Sequence, residues 1–147
     1  MTWSARLGPP TPLPQAVRMP ADSAYQPLQP ARRPGGKPTH APRYRVLIHR
    51  KYHAHWTQIV DRVGLDSAQQ LWDHLSAHPG QVPEINSSCI LKGRAGRPHG
   101  EGWSRTVHYE LSSKARVNYQ FHDRFTIGAQ SDEHPVVAIL TIDYTSH

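Results

Sequence analysis

A chain of 147 residues with formal net charge +6 and a pI near 9.8 has room for one domain plus a tail, and its basic balance admits nucleic-acid, ribosomal or anionic-membrane partners without selecting among them. A single cysteine, Cys89, excludes an intramolecular disulfide and any multi-cysteine zinc site, suits a reducing cytoplasmic setting, and is expected as a small apolar residue in or near the core. No apolar run is long enough to cross a bilayer and the N-terminus lacks the apolar centre of a secretory signal, so no membrane partner is expected.

Residues 1–42 hold ten of the 14 prolines, and five basic residues against Asp22. Proline fixes φ and removes a backbone donor, and the segment has few large apolar side chains to offset the entropy of ordering. The composition predicts a disordered, Pro-rich basic tail over 1–42, with the folded domain at 43–147. A solvated leader, a misassigned start and a basic tether to RNA are the three readings of such a tail.

The domain opens with a strand over Tyr44–Ile48. Tyr52, Trp56, Ile59, Val60 and Val63 then follow helical spacing, and Gly64 stops that helix. Asp66 opens a second helix, with Gln69 placed as a capping-box partner. Ala68, Leu71, Trp72 and Leu75 form its apolar stripe, and Pro79-Gly80 ends it. After Pro83 the pattern turns to β, with a short candidate strand at Cys89–Leu91. Residues 93–102 form a loop with four glycines. It lacks the Lys-Ser/Thr ending of a P-loop and is not a nucleotide cradle.

Two alternating segments follow. Trp103, Val107, Tyr109 and Leu111 fall on one side of a strand; Ser104, Thr106, His108 and Glu110 fall on the other. Val117, Tyr119 and Phe121 alternate with Arg116, Asn118, Gln120 and His122. The link Ser112-Ser113-Lys114 makes the two strands hairpin neighbours, with one apolar and one polar face. The last strand, Val136–Ile142, is apolar on both sides and is expected inside the sheet. The order β-α-α-β-β-β, with its helices grouped, predicts an α+β layer pair.

That order resembles the RelE/ParE superfamily of bacterial toxins. Gly102-Trp103-Ser104-Arg105 is similar to the Gly-x-Trp-Ser-Arg start of a sheet strand in the YoeB-like branch. Arg116-Val117-Asn118-Tyr119-Gln120-Phe121 resembles the Arg-Leu-Val-Tyr-x-Val strand that carries the family's catalytic arginine. The resemblance runs from about Tyr44 to the C-terminus. It implies a small antiparallel-dominated sheet packed on a helical hairpin. It also implies the toxin of a toxin–antitoxin system, cleaving messenger RNA on the ribosome without a metal or other cofactor, and a cognate antitoxin as partner. ParE-like members poison DNA gyrase instead, and a non-catalytic RNA- or ribosome-binding module is a further alternative; fold alone does not choose.

Metal-free RNA cleavage needs a base for the ribose 2′-OH, a cation for the phosphorane and an acid for the leaving 5′-oxygen. The resemblance gives Arg116 the cation role, and its guanidinium suits phosphate. A surface ion pair with Glu110 across the hairpin is the plain alternative. His108 and Glu110 share the polar face and either serves as base; histidine titrates near neutrality, whereas a carboxylate needs its pKa raised. A solvated cross-strand pair is their plain alternative. Lysines of the RelE branch are absent from this stretch, which shifts weight to a His/Glu pair. The resemblance implies an acid just past the last strand, for which His147 is the candidate; a frayed terminus is the plain alternative.

Lys92, Arg94, Arg97, Arg105, Lys114, Asn118, Gln120 and Tyr144 are the candidate RNA contacts. Arg105 is in phase with Trp103 and Val107 and is alternatively a partly buried ion-pair partner. His49, His53 and His55 invite a metal, but no carboxylate or cysteine lies near enough in sequence to complete a set, so no metal is expected. Trp56 and Trp72 belong to the helix stripes as core.

Overall fold

The computed structural model describes residues 27–82, 88–112, 115–126 and 133–144. Its strands are β1 (Leu28–Pro30), β2 (Arg45–His49), β3 (Cys89–Ile90), β4 (Val107–Ser112), β5 (Ala115–Phe125) and β6 (His134–Tyr144). They form one six-stranded sheet in the order β1-β2-β6-β5-β4-β3. The pair β2–β6 is parallel and the others are antiparallel. The chain is thus an α+β domain with a mixed sheet. As its two-sided apolar pattern predicts, β6 lies inside the sheet, between β2 and β5.

Strand parity divides the sheet into two faces. Val46, Ile48, Val107, Tyr109, Val117, Tyr119, Val137 and Ile139 join the main core. Trp56, Ile59, Leu71, Trp72 and Leu75 pack on them from the helices. Leu47 and Val136 start a second, smaller cluster with Leu28, Trp103 and Phe125.

The helical layer comprises α1 (His53–Thr57), α2 (Ile59–Val63) and α3 (Leu65–Ala77), with a 3-10 turn at Arg50–Tyr52 before α1. The single first helix expected over Tyr52–Val63 is broken at Gln58, whose backbone sits at φ −96°, ψ 0°. Val60, expected on the apolar face, is 36% exposed. Gly64 adopts φ 91°, a conformation that favours glycine, and separates α2 from α3. The stripe of α3 is buried as its spacing predicts. The capping box is absent: Gly64 precedes α3 with no side-chain cap, and the Gln69 amide donates to the Pro34 carbonyl instead, at 2.9 Å.

The largest departure from expectation lies in the segment read as tail. Leu28–Pro30 pairs with Leu47–His49 as the edge strand β1, extended by Ala31 N–H to Val46 O at 2.9 Å and Arg50 N–H to Pro27 O at 2.8 Å. The chain then crosses the helices. The Trp72 indole donates to the Ala31 carbonyl at 2.8 Å, and the Trp56 indole to the Arg32 carbonyl at 3.0 Å. Arg33 grips Asp73 through Nε and Nη2 at 2.8 and 3.0 Å. Proline lacks a donor but keeps its acceptor, and an edge strand tolerates it. The segment is ordered by accepting hydrogen bonds and by one fork of charge. The remainder of the expected tail, residues 1–26, lies outside the described residues.

Two further expectations fail. Cys89 is exposed on the edge strand β3, because a two-residue edge has no layer above it. Trp103 does not share the face of Val107. From Val107 to Trp103 the chain moves four residues, while its partner moves three, from Tyr119 to His122. A one-residue slip sends a side chain to the other face, and Trp103 packs in the second cluster.

Buried polar groups make this layer pair sensitive to pH. His74 packs on Tyr109 with the rings tilted by 57° and their centroids 5.5 Å apart, and its Nε2 is buried without a partner among the described residues. Burial holds its pKa below the ordinary value; His78 adds to the fall and a Gln81 backbone hydrogen bond opposes it. The unfolded chain then takes up the proton first, so the contribution of neutral His74 is complete above about pH 6.5 and is lost as pH falls through the folded value. A His74→Phe variant is expected to lose less melting temperature than wild type between pH 7 and pH 5, and equal slopes would show that His74 is not the sensor. Deleting residues 1–34 orphans both indoles; a loss of about 2–5 kcal/mol, read as a melting-point fall of about 10 °C, is expected, and an unchanged melt would show the strap is dispensable.

Candidate functional site

The face of the sheet opposite the helices carries the polar row of β4 and β5. His108 pairs in register with Asn118, and Glu110 with Arg116. Arg116 Nη2 lies 3.8 Å from Glu110 Oε2, with side chains 34% and 13% exposed. The Glu110 N–H donates to Ser88 Oγ at 2.9 Å, which ties this end of β4 to the approach to β3. His108 Nδ1 lies 2.8 Å from Asn118 Oδ1. With an amide oxygen as partner, Nδ1 is the donor, and in the neutral imidazole that tautomer makes Nε2 the acceptor. On the next strand Thr141 is in register with Asn118, and Asp143 with Arg116. Arg116 thus sits in register between two carboxylates, Glu110 and Asp143.

The glycine-rich segment folds over the other end of this face. Gly93–Gly96 is a 3-10 turn. A side chain at Gly96 would put Cβ 2.1 Å from the Leu91 carbonyl oxygen, and one at Gly102, which has φ 86°, 2.2 Å from His122 Nε2. Close approach to the backbone requires glycine at 96, and the positive φ favours it at 102. The buried Gln120 side chain fastens the segment to β5. Its amide donates to Arg97 O at 2.9 Å and to Thr106 Oγ1 at 3.0 Å, and its carbonyl accepts from His99 N–H at 3.0 Å. Between the segment and the sheet lies a pocket of about 360 Å³ bordered by Arg94, Arg97, His99, Asn118 and Thr141. It adjoins a smaller cavity of about 140 Å³ lined by Leu28, Trp103, Gln120 and Ala138, the two sharing His49, His99 and Leu140. A bulge makes this possible. Asn118 and Tyr119 pair with Thr141 and Ile139, so Leu140 is an extra residue of β6 and borders the pocket together with Thr141.

Of the residues singled out in the sequence, Arg116, Glu110, His108 and Asn118 come together on one face, and Arg94 and Arg97 border the adjoining pocket. Lys92 is exposed at the start of the 3-10 turn and lines neither cavity. Three candidate RNA contacts are used otherwise. Gln120 is 1% exposed, and its hydrogen bonds hold the loop rather than meeting solvent on the open face. Arg105 is exposed, not partly buried as the alternative reading of its phase had it, and has no ion pair among the described residues: it donates to the carbonyls of Leu91 and Gly93 at 3.0 and 2.6 Å, and braces the loop. Tyr144 packs at the edge of the helix-side core. Its hydroxyl donates to His55 O at 2.6 Å, and the Arg62 guanidinium lies 5.0 Å from its ring centroid. Burial pushes the Tyr144 phenol up to about 12. Lys114 and His147 lie outside the described residues.

Sequence reasoning missed His49, His99 and Thr141 as walls of the open face. For His49 the signal was present: it has the parity of Leu47, which faces away from the helices. Among the described residues no group of three or more His, Cys, Asp or Glu side chains could hold a metal ion. No helix among them is long and apolar enough to cross a membrane. Comparison with protein-family models, with curated proteins and with solved structures finds no match.

The Gln120 staple yields a direct test. Gln120→Leu keeps the volume but leaves the Arg97 carbonyl and the His99 N–H without their partner. A stability loss of about 2–4 kcal/mol is expected in chemical denaturation, with faster hydrogen exchange at the His99 amide. Unaltered exchange there would show that the loop is held by something else.

Proposed function

We propose that this open face binds single-stranded RNA and cleaves it by metal-independent transesterification, as the toxin of a RelE/ParE-like toxin–antitoxin pair acting on messenger RNA at the ribosome. The observation that carries this reading is the His108–Asn118 pair beside the Glu110–Arg116 pair on the face opposite the α-helical layer. Asn118 holds the His108 tautomer with Nε2 as acceptor, the form a general base requires. Glu110 is turned to Arg116, so in this reading it orients the guanidinium, and His108 is the base.

The step balances without a metal. Nε2 of His108 removes the 2′-OH proton, and the 2′-oxygen forms a bond to phosphorus. Arg116 supplies two parallel donors to the charge gathering on the phosphorane. The bond from phosphorus to the 5′-oxygen breaks, leaving a 2′,3′-cyclic phosphate and a 5′-hydroxyl. The leaving oxygen takes its proton from a general acid, the role the family resemblance assigns near the chain end at His147. Arg94 and Arg97 position the strand through its phosphates, which makes affinity fall with salt.

A non-catalytic RNA-binding module is the second reading. It is favoured by the position of Arg116 in register with both Glu110 and Asp143, whose charges offset its own.

Expression in a growing bacterial host, with cleavage assayed on ribosome-bound messenger RNA, separates the two. Arg116→Ala is expected to abolish growth arrest and to slow cleavage by about a hundredfold or more, with an unchanged circular dichroism spectrum. Undiminished arrest by a folded Arg116→Ala protein would overturn the nuclease reading. Salt-sensitive RNA binding without cleavage by the wild type would select the binding module.

A further inference from the structure

We propose that the 140 Å³ cavity beside the basic pocket is a subsite for one pyrimidine base of single-stranded RNA, next to the phosphate that reaches the His108–Arg116 row. This inference rests on the RNA reading above and adds a base preference to it.

Size sets the first limit. A cavity of about 150 Å³ accepts a single six-membered aromatic ring, whereas drug-sized ligands need about 300 Å³ or more. This half-open cavity, at about 140 Å³, therefore takes one ring inside its walls, and the second ring of a purine would project from its mouth.

Chemistry sets the second. Trp103, Leu28, Ala138 and Leu140 offer an aromatic and aliphatic lining for the flat faces of a base. Gln120 reaches the cavity with both amide donors committed to Arg97 O and Thr106 Oγ1, while its carbonyl oxygen accepts one bond, from His99 N–H, so the floor offers no donor. The side chains left to donate to the edge of a base are the imidazoles of His49 and His99. The Nδ1 of His49 accepts from Lys51 N–H at 3.1 Å, which leaves its Nε2.

Position sets the third. His49, His99 and Leu140 line both this cavity and the basic pocket. A base seated in the cavity brings its phosphate toward Arg94 and Arg97. The next phosphate then meets Asn118 and its partner His108, two residues along β5 from Gln120, or about 7 Å. The arrangement is built by the chain's own local features: β1 supplies the Leu28 wall, the β6 bulge supplies Leu140, and the Gln120 staple holds the roof. The plain alternative is a packing gap with no ligand.

The test titrates the full chain with the 3′-monophosphates of uridine, cytidine, adenosine and guanosine, following tryptophan fluorescence, with Trp103→Phe to assign the signal. Ala138→Leu fills the cavity from the sheet, and Leu140→Phe fills it from the bulge should the first variant fail to fold. Pyrimidine nucleotides are expected to bind about tenfold tighter than purine nucleotides, and either filling variant to lose about tenfold of that affinity. Arg116→Ala is expected to keep the pyrimidine preference. Equal binding of all four, no saturable signal, or filling variants that bind as wild type would overturn the subsite. If RNA cleavage persists without base preference, the nuclease reading stands and the subsite falls; if preference persists without cleavage, the subsite stands on a binding module.

Discussion

The placement of Arg116, Asn118 and Gln120, and of Glu110 and His108 paired with the first two, depends on the parity of β5. Val117 and Tyr119 are fully buried against the helices, and the Tyr119 hydroxyl donates to Pro79 O at 2.7 Å beneath them. Burial pushes that phenol up, so it stays a neutral donor. With these side chains fixed, Arg116, Asn118 and Gln120 have only the other face to occupy. A slip of one residue would expose two large side chains, at about 1.5–3 kcal/mol each for full exposure, and bury a guanidinium. The core thus positions the open face without touching it.

That face is not uniform, and the difference along it decides what each side chain can do. At the Gln120 end the glycine-rich segment closes over the sheet, and polar atoms are spent on structure. At the Arg116 end nothing comparable covers the strands among the described residues. The Arg116–Glu110 pair is partly exposed and 3.8 Å apart, a geometry worth at most about 1 kcal/mol once solvent screening is counted. So weak a pair contributes little to stability, and in the proposed reading a phosphate would compete with it for the guanidinium. By contrast, Gln120 is spent entirely on holding the fold, although the alternation that places Arg116 places it on the same face.

Much of this was legible in the sequence, and the failures share a cause. The alternation of β5, the interior place of β6 and the stripe of α3 each rest on many side chains obeying one period, and each is found. Trp103 and Gln120 were read from the same periods, and Tyr144 from the family resemblance, and all three were placed too simply. Trp103 changes face because the loop before β4 slips the register, which period alone does not reveal. Gln120 has the open-face parity expected of it, but a loop folds over it. Tyr144 follows Ile142 onto the helix side once the β6 bulge is counted. The strap over residues 27–34 escaped because its composition was judged by what proline cannot donate. Its order comes from what Ala31, Arg32 and Pro34 accept from Trp72, Trp56 and Gln69.

That strap links the two faces. On the helix side its carbonyls satisfy two indole donors of α1 and α3, groups that would otherwise lose a partner in partly or fully buried positions. At the sheet edge the same few residues form β1, where Leu28 stands opposite His49 and closes one side of the small cavity. A segment of three strand residues has too little ladder to hold itself; the indoles and Asp73 fix the residues just after it. The contacts that order the wall of the open-face cavity therefore lie on the far side of the domain, and loosening them would open the cavity without altering any residue that lines it.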